Sequence, residues 1–275
     1  MTFEANLIKQ LDRINCLFKR GAKDTEEERV LIEKAAAKML LISNSTSYGS
    51  GFLDHCAEEI VAFLGNTIKT VAFVPYAKID CRVYSERAKR RFNALGYELI
   101  STHESTNPGQ LIKDSEAVFV GGGNTFLLLR ELYKNDLLGV IRTKVLVEKT
   151  PYIGTSAGSN VACPSIKTTN DMPIVEPPSL DALNLVPFNI NPHYVDPDPN
   201  STHMGENRLE RIREFHEFND PPVIGLREGS LLCVEGSAVI LKGKTGAVVF
   251  IKGEEPHEVR AGERLDALLQ QQSQH

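Results

Sequence analysis

The sequence predicts an α/β protein: a mostly parallel sheet with helices on both faces, antiparallel strands near the C-terminus, and an N-terminal helical extension. Three observations predict it. Short apolar runs at 39–43, 70–75, 117–120 and 151–154 have the near-continuous hydrophobicity of strands buried on both faces. Stretches of helical periodicity separate them, and that alternation builds a parallel sheet. After Val223 short strands follow one another with Gly229, Gly236, Gly243, Gly246 and Gly253 between them, which suits antiparallel turns.

Taken in order, Leu7, Leu11, Ile14 and Phe18 recur at helical spacing, Gly21 breaks the pattern, and a charged run from Asp24 opens a second helical stretch. Residues 51–64 place Phe52, Cys56, Ile60 and Phe63 on one face of a helix, and 83–95 reads as a basic amphipathic helix followed by a short run at 97–100. Two helices follow the strand at 117–120, reaching about Lys134 and Val147. Residues 171–199, rich in Pro, Asn and Asp, read mostly as loops at the mouth of the sheet, and 206–218 as a helix. The terminal Gln-rich residues 270–275 read as a frayed end.

Of the 275 residues, 41% are hydrophobic and 24% charged, which suits a folded globular chain. The formal net charge of -5 argues against a generic nucleic-acid binder. No apolar run approaches the roughly 20 residues of a membrane span. The N-terminus, with Glu4 and Asp12, does not read as a secretory signal. The five cysteines are scattered and form no CxxC pair, so reduced thiols in the cytoplasm are expected.

Gly154-Thr155-Ser156-Ala157-Gly158 is G-x-S-x-G between a strand and a helical pattern, the context of a nucleophile elbow. The serine oxygen is expected above the carboxyl end of the sheet, with the Ala157 N–H at the helix N-terminus as an oxyanion donor. Gly121-Gly122-Gly123-Asn124-Thr125 also joins a strand to a helix, so its amides are candidates for the second oxyanion donor. Among seven histidines, His193 follows the apolar segment 186–190 and is the favoured base. Asp171 and Glu228 are both candidates to orient it, and spacing does not choose between them. The polar, Pro-rich loop from Tyr194 to Met204 is a candidate lid.

Several of these strings together resemble the peptidase E (α-aspartyl dipeptidase) family: 41–46, Val120-Gly121-Gly122-Gly123-Asn124-Thr125-Phe126, 153–158, Thr168-Thr169-Asn170-Asp171-Met172-Pro173, Asn191-Pro192-His193 and Gly205-Glu206-Asn207-Arg208. The resemblance covers residues 38–252, read as the catalytic domain, with 1–37 as the helical extension and 253–275 as a C-terminal tail. It implies a fold like the class I glutamine amidotransferases (flavodoxin-like), with serine where those carry cysteine, and hydrolysis of Asp-X dipeptides with no metal or other cofactor. Ser156 is then the nucleophile, His193 the base and Asp171 the third member, with Glu228 matching a segment also proposed for that role. Gly123 and Ala157 supply oxyanion donors. Arg208 reads the aspartate side chain, although Asn207 stands where the family segment has Thr. The expected partner is this small-molecule substrate, with no nucleic acid or membrane; a homodimer is compatible with the reading. The rivals are a cyanophycinase-like peptidase acting on β-aspartyl links and a non-catalytic amidotransferase-like binding module.

Overall fold

The computed structural model describes residues 37–202 and 204–269, so the expected helices within residues 1–36 and the frayed end at 270–275 lie outside the described residues. The apolar runs become strands β1 (Lys38–Ile42), β2 (Thr70–Val74), β3 (Glu98–Ser101), β4 (Ala117–Val120) and β5 (Tyr152–Thr155). These five pair in parallel in the order β3-β2-β4-β5-β1.

Alternate residues divide between the two faces. Met39, Leu41, Ala72, Val74, Val118, Val120 and Tyr152 enter one core. Leu40, Ile42, Val71, Phe73, Ala117, Phe119 and Ile153 enter the other. Both faces are dry, which explains why these strands read as unbroken apolar runs rather than alternating ones. In the second core Phe119 stacks between Phe73, at 4.9 Å, and Phe92, at 5.0 Å. Burying each such side chain contributes about 1.5–3 kcal/mol.

The helices follow the expected periods, except that the stretch 51–64 is α-helical only over 57–64, after a 3-10 turn at Asp54–Cys56. Helix α1 (Ala57–Leu64) buries Ile60, Phe63 and Leu64. Helix α2 (Cys81–Ala94) buries Tyr84, Ser85, Ala88 and Phe92 and starts at Asp80, whose carboxylate accepts the Val83 N–H at 3.0 Å. Helix α3 (Pro108–Asp114) precedes β4, and α4 (Thr125–Lys134) follows it, capped by the Asn124 side chain on the Leu127 N–H. Helix α5 (Leu137–Arg142) runs into one π-helical turn at Thr143–Val147, and α6 (Ala157–Val161) springs directly from β5. Helix α7 (Arg208–Phe218) lies in the C-terminal third.

The strands after Val223 do not form one edge but divide between two sheets. β8 (Ser230–Glu235) and β9 (Ala238–Gly243) extend the main sheet beyond β1, making seven strands in the order β3-β2-β4-β5-β1-β8-β9. β6 (Asn189–Pro192), β7 (Val223–Leu226), β10 (Ala247–Phe250) and β11 (His257–Val259) form a second sheet in the order β11-β10-β7-β6, in which β6 and β7 are parallel. The segment after 252, set apart in the sequence as a tail, packs back: β11 pairs with β10, and Leu265 and Leu268 are buried in the first core. Its few apolar residues carry no local period, so only long-range pairing reveals it. Among the described residues no helix is long and apolar enough to cross a membrane.

Candidate active site

Five strand ends converge on one cavity of about 730 Å³, lined among others by Ser156, His193, Gly122, Gly123, Asp171 and Tyr84. The elbow is built by sterics. Ser156 has φ 53° and ψ -109°, a backbone geometry that costs an L-residue roughly 1–3 kcal/mol. The surrounding chain tolerates it because glycine flanks it. A Cβ on Gly158 would lie 2.1 Å from the Val120 carbonyl oxygen, and one on Gly154 would lie 2.6 Å from the Gly158 oxygen. The turn is then locked by hydrogen bonds: the Ser156 N–H donates to the Ile42 oxygen at 2.9 Å, and its own carbonyl accepts the N–H groups of Ser159 and Asn160.

The base comes from the second sheet. His193 also has φ 53°, and its N–H donates to Ser43 Oγ at 2.9 Å. Its Nε2 lies 2.9 Å from Ser156 Oγ, and its Nδ1 2.6 Å from Glu228 Oε1. A carboxylate only accepts, so the ring proton sits on Nδ1 and Nε2 is left to accept from the serine hydroxyl. Glu228 is therefore the carboxylate on the imidazole, and the assignment of Asp171 to that place is corrected. Register explains the choice. β6 and β7 are parallel with Pro192 opposite Leu226, so the residues just past them, His193 and Glu228, reach each other. Asp171 turns away to the N-terminus of α4. Its Oδ2 accepts the Thr125 N–H at 2.8 Å, the Thr125 hydroxyl at 2.6 Å and the Thr169 hydroxyl at 3.2 Å. The loop carrying it is stitched to β6, with Asn170 Nδ2 donating to the Pro192 oxygen and Asn191 Nδ2 to the Thr168 oxygen.

The glycine turn behaves as its composition suggests. The Gly122 N–H donates to the Tyr84 hydroxyl at 2.8 Å, and burial pushes that phenol up to about 12. Gly123, at φ +143°, makes no hydrogen bond through its N–H to a described residue, and a Cβ there would sit 2.2 Å from the Ala77 oxygen. Ala157 opens α6, so its N–H has no acceptor in its own helix. Among the described residues these two amides are unfilled donors close to Ser156.

Arg208 begins α7 and does not line the cavity. Among the described residues its guanidinium has no ion pair; burial lowers its pKa, Arg211 adds to that, and the nearby Asp171 charge opposes it. Asn207 serves as the N-cap in a full capping box with Glu210, so it does the work of a threonine at that position.

Sequence reasoning assigned no role to Ser43 and Asn44, which join the two halves. The Ile42 oxygen receives the elbow; Ser43 Oγ receives the His193 N–H and donates to the Leu226 oxygen at 2.8 Å; Asn44 Oδ1 receives the Gly229 N–H at 2.8 Å, next to Glu228. The one sequence signal was a pair of polar residues directly after an apolar run; the structure buries both. Arg227 was missed as well. It grips Asp196 through Nε and Nη2, each at 2.7 Å, and Glu258 through Nη1 at 2.6 Å, tying together the chain just after His193, the residue before Glu228, and β11.

The chain is similar to known proteins in sequence and fold. The sequence matches the profile of Peptidase family S51 across residues 39–242. It is 49% identical over 231 residues to the peptidase E of Streptomyces coelicolor, an alignment covering 84% of this chain and 94% of that one. It is 46% identical over 217 residues to the probable alpha-aspartyl dipeptidase of Drosophila melanogaster, covering 78% of this chain and 90% of that one. The crystal structure of a peptidase from an acI-B1 actinobacterium shares the fold, with a TM-score of 0.62 over 84% of this chain and 96% of that one at 17% identity. With a family match over three quarters of its length and relatives at nearly half identity, the chain belongs to Peptidase family S51.

Proposed function

We propose that this protein is a serine-type α-aspartyl dipeptidase that hydrolyses Asp-X dipeptides through an aspartyl-enzyme. The observation that carries the reading is the continuous line from Ser156 Oγ to His193 Nε2 at 2.9 Å and from Nδ1 to Glu228 at 2.6 Å, beside the open amides of Gly123 and Ala157. Family membership and the peptidase E relatives support the same reaction class.

The steps follow from the groups present. Ser156 Oγ attacks the carbonyl carbon of the N-terminal aspartate while His193 Nε2 takes its proton. The developing oxyanion is met by the N–H groups of Gly123 and Ala157. Collapse breaks the C–N bond, the imidazolium protonates the leaving amine, and an aspartyl ester remains on Ser156. Water then attacks with His193 again as base, releasing aspartate. Glu228 holds the imidazole tautomer and steadies its positive form. Arg208, whose guanidinium has no ion pair among the described residues, is the cation assigned to the substrate's side-chain carboxylate, for which a planar fork is well shaped.

A panel of Asp-X, Glu-X, Asn-X, β-Asp-X and Asp-initiated tripeptides tests this. Cleavage confined to Asp-X is the expected result; preference for β-Asp-X would transfer the protein to the cyanophycinase-like reading. Failure of a serine-directed phosphonate to label Ser156, with the whole panel inert, would leave a binding module.

A further inference from the structure

We infer that Asp171 is the anchor for the substrate's N-terminal ammonium and so a specificity-determining residue. The inference rests on the dipeptidase reading above.

The two oxygens of this carboxylate have unequal fates. Oδ2 is saturated by three donors from Thr125 and Thr169, which hold the group rigidly. Oδ1 has no hydrogen-bond partner among the described residues, and Asp171 forms no ion pair there. The group nevertheless lines the same cavity as Ser156, His193 and Gly123. A carboxylate held by hydroxyl and amide donors, with its remaining lone pairs facing a reaction cavity, is built to take a cation.

The placement matches the substrate. In an Asp-X dipeptide the ammonium is one carbon from the scissile carbonyl, so it must bind close to the oxyanion site. Asp171 is fixed to the backbone of Thr125, two residues beyond Gly123, the proposed oxyanion donor. The Arg208 guanidinium lies near enough for the two charges to act on each other, yet no hydrogen bond joins them. An aspartyl residue carries the complementary pair of charges, cationic on its nitrogen and anionic on its side chain. Of the other carboxylates at hand, Glu228 is committed to His193, and Asp80 caps α2.

The test compares Asp-Leu with succinyl-leucine, which is the same molecule with the ammonium replaced by hydrogen. The wild-type protein should prefer Asp-Leu by about 10³-fold or more in kcat/KM, as sites built around a polar group do against analogues lacking its partner. Asp171→Asn keeps an oxygen for the threonine donors and loses the charge. It should bring the ratio to within about tenfold, almost wholly by losing Asp-Leu turnover through KM. Asp80→Asn should keep the wild-type ratio. Equal loss on both substrates in Asp171→Asn, or collapse of the ratio in Asp80→Asn, overturns the anchor while the dipeptidase reading stands. A wild-type protein inert to Asp-Leu overturns both. Should the variant not fold, product inhibition of the wild type decides: succinate must inhibit at least about 100-fold more weakly than L-aspartate, and equal inhibition overturns the inference.

Discussion

The two halves of this active site are held in place by different physics. The nucleophile half, β5 to α6 with the glycine turn after β4, is dry and fixed by sterics: Ala157, Gly158 and Thr155 are buried, and methyl groups at Gly154, Gly158 or Gly123 would drive into backbone carbonyls. The base half, from the ends of β6 and β7, faces water. The His193 and Glu228 side chains are 40% and 56% exposed, and hydrogen bonds and ion pairs rather than packing position them. Reactivity needs a serine that cannot relax, whereas an imidazole passing protons needs contact with mobile groups. The expected consequence is that crowding the close-packed glycines of the first half removes stability and activity together, while damage to the second removes activity alone.

The largest effect tests the halves as a unit. Ser156→Ala and His193→Ala should each lower kcat by about 10⁵-fold or more, and the double variant no further, in initial-rate assays with Asp-Leu. Ser156→Gly should lose activity equally but raise the unfolding free energy, because glycine accepts φ 53° without the roughly 1–3 kcal/mol strain. A less stable Ser156→Gly in urea unfolding would remove the claim that the elbow stores strain.

Next comes the base half alone. Glu228→Gln should cost about 10²–10⁴-fold in kcat through the wrong imidazole tautomer. Its unfolding free energy should move by no more than about 0.5 kcal/mol, since the side chain is exposed. Gly158→Ala is the contrasting case. With its Cβ 2.1 Å from a fixed carbonyl it should destabilise the fold by about 3 kcal/mol or more, read as a lower denaturant midpoint, with activity falling in parallel. If Gly158→Ala were as stable as wild type, the division between the halves would fail.

Smaller effects probe the hinge between them. Ser43→Ala leaves the His193 N–H and the Leu226 oxygen without their shared partner, a loss of about 1–3 kcal/mol in stability together with reduced kcat. The smallest concerns Arg227. Its hydrogen bonds lower the carboxyl pKa values of Asp196 and Glu258 below 3.8 and 4.5. Groups with lowered folded-state values add stability that is present above their ordinary range and is lost as pH falls through the lowered values. Arg227→Met should therefore lose a small amount of stability at neutral pH, small because Asp196 and Glu258 are more than half exposed, and the loss should shrink as pH falls through the lowered values, so that the acid midpoint lies at higher pH. An unchanged acid midpoint would show that the clamp contributes nothing.

Much of this was readable locally. The G-x-S-x-G elbow, the glycine turn and the parallel strands are short-range patterns, and the apolar runs at 39–43, 70–75, 117–120 and 151–154 fall within about a residue of the observed strands. His193 was legible from its place after an apolar segment. The C-terminal third was less so, because which strand pairs with which is settled between residues far apart: β8 joins β1 across nearly 200 residues, and β7 leaves it for β6 and β10.

The amino-acid sequence by itself thus determined the chemistry available: a serine forced into a sharp turn, glycines where no Cβ fits, and a histidine at a strand end. It did so because steric and periodic constraints act within a few residues. Only the tertiary structure decided which carboxylate meets the imidazole. Asp171 and Glu228 are equivalent as residue types; the parallel register of β6 and β7 brings Glu228 to Nδ1, while three donors around Thr125 draw Asp171 to the other side of the cavity.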